Sequence, residues 1–188
     1  MGLDMYLHRK VYVGNKWRKP NQQLKVIMPE DEENVTFPMG NKGIQQEKIS
    51  EITEEVGYWR KANAIHQWFV EHVQEDVDDC KDYYVEKEQL EELLKTVNEV
   101  LKASELIEGD VTNGYTSKGD GKGMQPNIEK GKIIKDPTVA QKLLPIQEGF
   151  FFGGTDYDEY YYKTLIETKK ILEEALKLEG SYYYRSSW

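Results

Sequence analysis

Residues 57–69 read GYWRKANAIHQWF and bring together Trp59, Arg60, Lys61, Asn63 and His66. These types can stack on a ring, pair with an anion and hydrogen-bond to a polar group. On a helix over 48–73 the apolar face collects Ile52, Val56, Trp59, Ala62, Phe69, Val70 and Val73, with Asn63 and His66 among them and Arg60 at its edge. Two readings stay open. The polar pair is either buried and bonded to neighbouring groups, or it opens on a pocket where Arg60 and His66 meet an anion while Trp59 or a tyrosine stacks on a ring.

A second chemistry-bearing stretch is GFFFGGTDYDEYYY, residues 149–162. Glycines ahead of a helix start expose backbone amides that can hold an anion. Asp156, Asp158 and Glu159 oppose one there, so a cation, an amine or a hydroxyl-rich sugar suits that rim better. Tyr157 and Tyr161 offer rings to the same region, and the candidate ligand-binding set is Trp59, Arg60, Asn63, His66, Tyr157 and Tyr161.

Other chemistry finds little support. His66 and His72 lie about 240° apart around a helix and cannot share an ion. Ser186, Ser187 and Cys80 sit in no nucleophile setting, and neither glycine-rich phosphate-loop pattern occurs. Neither a metal nor a cofactor is expected, and binding without catalysis is favoured over an acid/base role for His66.

The elements that must position these groups follow from periodicity. LDMYLHRKVYV, residues 3–13, alternates as a half-buried strand, and residues 23–28 are read as its hairpin partner. CKDYYV, residues 80–85, is a short strand, followed by an amphipathic helix through Leu90, Leu93, Leu94, Val97 and Leu101. From Glu108 to Asp136 six glycines and little periodicity are read as a flexible Gly-rich insertion, ending in a brief strand at Ile133 and Ile134. A short helix then begins with Asp136 and Pro137. Gly149 to Phe152 are read as a buried strand, and Thr155 caps a helix that runs to about Leu178. SYYYRSSW is a final strand. The expected fold is α+β, with three long helices packed on a small, mostly antiparallel sheet, in a single domain over 1–188.

Composition narrows the class. The chain has 188 residues, 25 Lys plus Arg and 34 Asp plus Glu, for a net charge of −9. That balance argues against direct nucleic-acid binding. Between Glu71 and Glu92 ten acids face two lysines, which is either a solvated surface or a mimic of nucleic-acid phosphates. One cysteine excludes an internal disulfide framework. Neither a membrane span nor a signal peptide is recognisable, which points to a cytoplasmic location.

Five blocks in order, MGLDMYL, GYWRKANAIHQWFV, VDDCKDYYV, GFFFGGTDYDEYY and YYYRSSW, resemble a family of small proteins encoded by phages and prophages. A phosphoglycerate kinase label sometimes given to that family finds no support, since the chain is too short and has no nucleotide-binding pattern. The resemblance implies a phage accessory role in the bacterial host cell, of the kind that counters host defence, and supplies no catalytic residues. The expected function is therefore capture and sequestration of a small anionic, nucleotide-like ligand. The alternative is an acidic inhibitor occupying a basic or nucleic-acid-binding surface of a host protein. A homo-oligomer remains an open expectation.

Overall fold

Met5 and Leu7 are wholly buried while Tyr6, His8 and Lys10, on the alternate positions, are only partly so, the burial that the alternation of residues 3–13 predicts. The computed structural model describes residues 2–26, 44–117, 124–149 and 152–188. Its elements in chain order are β1 (Asp4–Tyr12), β2 (Glu51–Arg60), α1 (Asn63–His72), β3 (Tyr83–Val85), α2 (Lys87–Ala103), β4 (Leu106–Ser117), β5 (Met124–Ile134), α3 (Thr138–Leu143), α4 (Glu159–Ala175) and β6 (Ser181–Ser187). Four strands form an antiparallel sheet in the order β2-β1-β6-β3, and β4 and β5 form a separate antiparallel pair.

The class is α+β, but the helices are not three long ones. Only α2 and α4 reach 17 residues, while α1 has 10 and α3 has 6. Their apolar stripes meet one face of the sheet. Ile65 and Phe69 of α1, Leu90 and Leu93 of α2, and Leu165 and Leu172 of α4 are buried in one core with Met5, Leu7, Trp59 and Tyr184. Phe69 stacks flat on Tyr184 at a centroid distance of 3.9 Å.

The helix expected over 48–73 is corrected. Its first part is strand β2 and only its second part is α1. Leu7 faces Gly57 while His8 faces Glu55, so Val56 is the extra residue of a bulge. The bulge shifts the inward parity from Ile52 to Gly57 and Trp59, and spacings of four and three then imitate a helix. Pairing with β1 decides the outcome. The hairpin partner expected at 23–28 is also corrected: residues 24–26 are in no strand, and 27–28 lie outside the described residues.

The segment 108–136 is not an irregular excursion. Its residues 108–117 and 124–134 lie in the paired strands β4 and β5, and 118–123 lie outside the described residues. Gly109 and Gly131 face one another across the ladder. A Cβ on Gly109 would come within 2.6 Å of Ile133, and one on Gly131 within 2.8 Å of Val111. These glycines make room for cross-strand side chains, so they mark close packing.

Of the strand expected at 149–152, Gly149 and Phe152 are in irregular chain, and 150–151 lie outside the described residues. Asp158, not Thr155, caps α4, accepting the Tyr161 amide at 2.9 Å. The later start has a cause. Tyr157 still accepts the Ile134 amide at 2.8 Å, so the chain leaves the strand pair only at residue 158.

Gly57 is where β2 passes closest beneath α4, and an added Cβ would lie 2.5 Å from Ile171 Cγ2. Gly57→Ala is expected to lower stability by about 1–3 kcal/mol through overpacking. Urea unfolding should show a lower midpoint at unchanged slope.

Candidate functional site

The chain turns from β2 into α1 within two residues. Lys61 adopts φ 56°, a left-handed conformation uncommon outside glycine, and its amide donates to the Leu3 carbonyl at 2.7 Å. Trp59 therefore points into the core, and Arg60 points to solvent on the opposite face of the sheet. No side chain caps α1, whose first backbone bond runs from the His66 amide to Ala62. The amides of Asn63, Ala64 and Ile65 stand at its open end.

Most of the residues singled out in the sequence are committed internally. Trp59 Nε1 donates to Thr168 Oγ1 at 2.9 Å. Asn63 donates to the carbonyls of Phe152 at 3.3 Å and Gly154 at 2.9 Å, which ties the glycine segment to α1. Tyr161 donates to the Leu144 carbonyl at 2.9 Å, and burial pushes its hydroxyl pKa well up. Tyr157 accepts the Ile146 amide at 3.2 Å and packs edge-on against Tyr161. His66 is fully buried, with Nδ1 2.8 Å from Tyr184 Oη. Its Nε2 is 3.2 Å from Asp78 Oδ1. Burial holds the imidazole pKa below its ordinary value, and the Asp78 carboxylate opposes that shift. Asn63 and Tyr161 border the same crevice, Trp59 and His66 belong to the core, and Arg60 stands apart on the surface.

The larger concavity lies just beyond these residues. A cleft of about 510 Å³ is bounded by Lys61, the bulge of β4 at 112–115, residues 153–155, Asp158 and Tyr160. A crevice of about 20 Å³, enough for one water, runs from Gly154 along the start of α1 to Tyr161 and Leu165. Asp156 accepts the Thr112 amide at 2.6 Å and anchors the bulge of β4 to the glycine segment. Asp158 is occupied as the cap of α4, and its carboxyl pKa is raised by burial, with the charge of Asp156 adding to the shift. Tyr160 donates to the Arg60 carbonyl at 2.7 Å, and its ring is 49% exposed.

Sequence reasoning left Lys61 out of the ligand-binding set, because a helix over 48–73 sends it to the far side, and it missed the bulge at 112–115. Asn113-Gly114 is the signal that could have marked a bulge there. Gly114 has φ 74°. Among the described residues no three His, Cys, Asp or Glu side chains are grouped to hold a metal ion, and no helix is long and apolar enough to cross a membrane. Comparisons with protein-family models, curated proteins and solved structures found no match.

A histidine with a depressed folded pKa contributes its full stabilisation above its ordinary value of about 6.5. That contribution is lost as pH falls through 6.5 toward the folded value, because the unfolded chain takes the proton first. The urea midpoint should therefore fall between about pH 7.5 and about pH 5.5, and His66→Gln should show a smaller fall.

Proposed function

We propose that the protein is a non-enzymatic binding protein that captures a small anionic, ring-bearing ligand of nucleotide type in the cleft between Lys61, the 112–115 bulge and residues 153–155. The observation that carries this reading is the way charge is committed there. Asp156 and Asp158 are already bonded to the backbone amides of Thr112 and Tyr161. Among the described residues Lys61, which lines the cleft, has no carboxylate partner. The half-exposed rings of Tyr115 and Tyr160 supply stacking surfaces on the same cleft. The volume suits a ligand of mononucleotide size.

Burial of His66 supports capture without chemistry, since a general base must reach its proton. The resemblance to small phage proteins supports a counter-defence role in the host cell, in which a nucleotide signal is sequestered. A ligand present at about a hundred times its Kd stabilises by roughly 2.7 kcal/mol. A thermal-shift screen of mononucleotides, cyclic oligonucleotides and ADP-ribose derivatives should therefore yield a clear rise in Tm. Lys61→Gln should keep the Tm of the free protein and weaken the hit at least about tenfold, or about 1.4 kcal/mol. A screen with no shift, or a hit untouched by Lys61→Gln, contradicts the reading.

A second reading, an acidic inhibitor of a basic host surface, is favoured by the exposure of nine of the ten acids between Glu71 and Glu92. On that reading, charge reversal at Asp76, Asp82 and Glu88 abolishes capture of a basic partner, and added salt weakens it.

A further inference from the structure

The four-stranded sheet carries its helices on one face, and its other face is lined with rings. Register brings Tyr58 opposite Tyr6, Arg185 opposite Tyr6 on the other side, Tyr183 opposite His8, and Tyr84 opposite Tyr183. Tyr58 and Tyr6 have centroids 5.4 Å apart, Tyr6 and His8 lie parallel at 6.0 Å, and Tyr183 and Tyr84 are 5.6 Å apart. The result is a diagonal track of five rings crossing all four strands. All five are partly or largely exposed.

Cations flank the track on both sides. Arg60 and Arg185 stand at one end of the sheet, and Lys10 lies over the Tyr183 ring, 4.3 Å from its centroid. The carboxylates of this face are Asp4, Glu51 and Glu55. Asp4 is occupied by the Tyr58 hydroxyl at 2.5 Å, and Glu51 lies 4.0 Å from Lys10. At the β3 end Tyr84 sits beside Glu86, which raises its hydroxyl pKa, so the cations serve the part of the track on β2, β1 and β6. On β2, β1 and β6 the three cations balance the three carboxylates, and the acids of 71–92 account for most of the chain's charge of −9.

We propose that this open sheet face, through Tyr58, Tyr6 and Tyr183 with Arg60, Arg185 and Lys10, binds single-stranded nucleic acid. Rings spaced along a track accept successive bases without regard to sequence, and interleaved Arg and Lys pair with the phosphates between them. A duplex keeps its bases stacked inward and offers only backbone to such a surface. The inference concerns a different surface from the nucleotide cleft and does not rest on it.

The test uses fluorescence anisotropy of the full chain with labelled dT12, labelled rU12 and a labelled duplex of the same length. At low salt both single strands are expected to bind, and the duplex at least about tenfold more weakly. Tyr58→Leu and Tyr183→Leu should each weaken single-strand binding about tenfold with Tm retained. Arg185→Gln, at an exposed position, gives an independent readout by lowering the salt slope by about 0.7, one phosphate contact on a single strand. The ratio of dT12 to rU12 affinity assigns DNA or RNA as the preferred strand. Equal binding of duplex, absence of single-strand binding at low salt, or an unchanged salt slope in Arg185→Gln overturns the proposal. So does sedimentation of the protein alone as a dimer that Arg185→Gln dissociates, since a second copy then occupies the face. Mononucleotides measured in parallel separate the two surfaces: a mononucleotide shift without oligonucleotide binding removes this inference and leaves the cleft standing.

Discussion

The corner at Lys61 is the constraint on which the rest of the structure depends. A non-glycine residue in the left-handed region costs about 1–3 kcal/mol. It persists here because the Lys61 amide is bonded to Leu3 on β1 and because Gly153 packs against it. Gly153 has φ 107°, and a Cβ on it would lie 3.0 Å from both the Lys61 carbonyl and the Lys61 Cβ. A strand ends, a helix begins and a distant glycine loop is seated within the same few ångströms. Trp59 is thereby sent into the core to meet Thr168, and the start of α1 is left facing residues 152–154, whose carbonyls Asn63 holds.

What was legible in the sequence depended on how undisturbed each period was. β1, α2 and β6 could be read because alternation or a 3.6-residue stripe runs through them unbroken. β2 could not, because the bulge at Val56 changes which parity faces inward and leaves apolar residues at helical spacing. The β4–β5 pair was hidden by glycines whose purpose is to admit Ile133 and Val111 across the ladder. Local sequence cannot separate a glycine chosen for closeness from one chosen for freedom.

The candidate site was legible in part for the same reason. Segments 57–69 and 149–162, both singled out in the sequence, lie against one another, and Asn63 holds the second to the first. The individual side chains changed roles once the corner was in place: Trp59, His66 and Tyr161 became interior groups, while Lys61 and Tyr160 came to the cleft. The 112–115 bulge joins them only through the tertiary bond from Thr112 to Asp156, which no local pattern encodes. The exposed sheet face was present in the sequence as Tyr6, His8 and Lys10, but its ring track needs the register of four strands to exist.

At the Lys61 corner a cation without a carboxylate partner among the described residues faces an open cleft. The most direct measurement is an amide NMR titration with the nucleotide that raises Tm most. The expected result is a saturable set of shifts at Lys61, Asn63, Ala64, Asn113 and Thr155, with the amides of α2 undisturbed. Shifts that spare the Lys61 corner and gather elsewhere would contradict the claim.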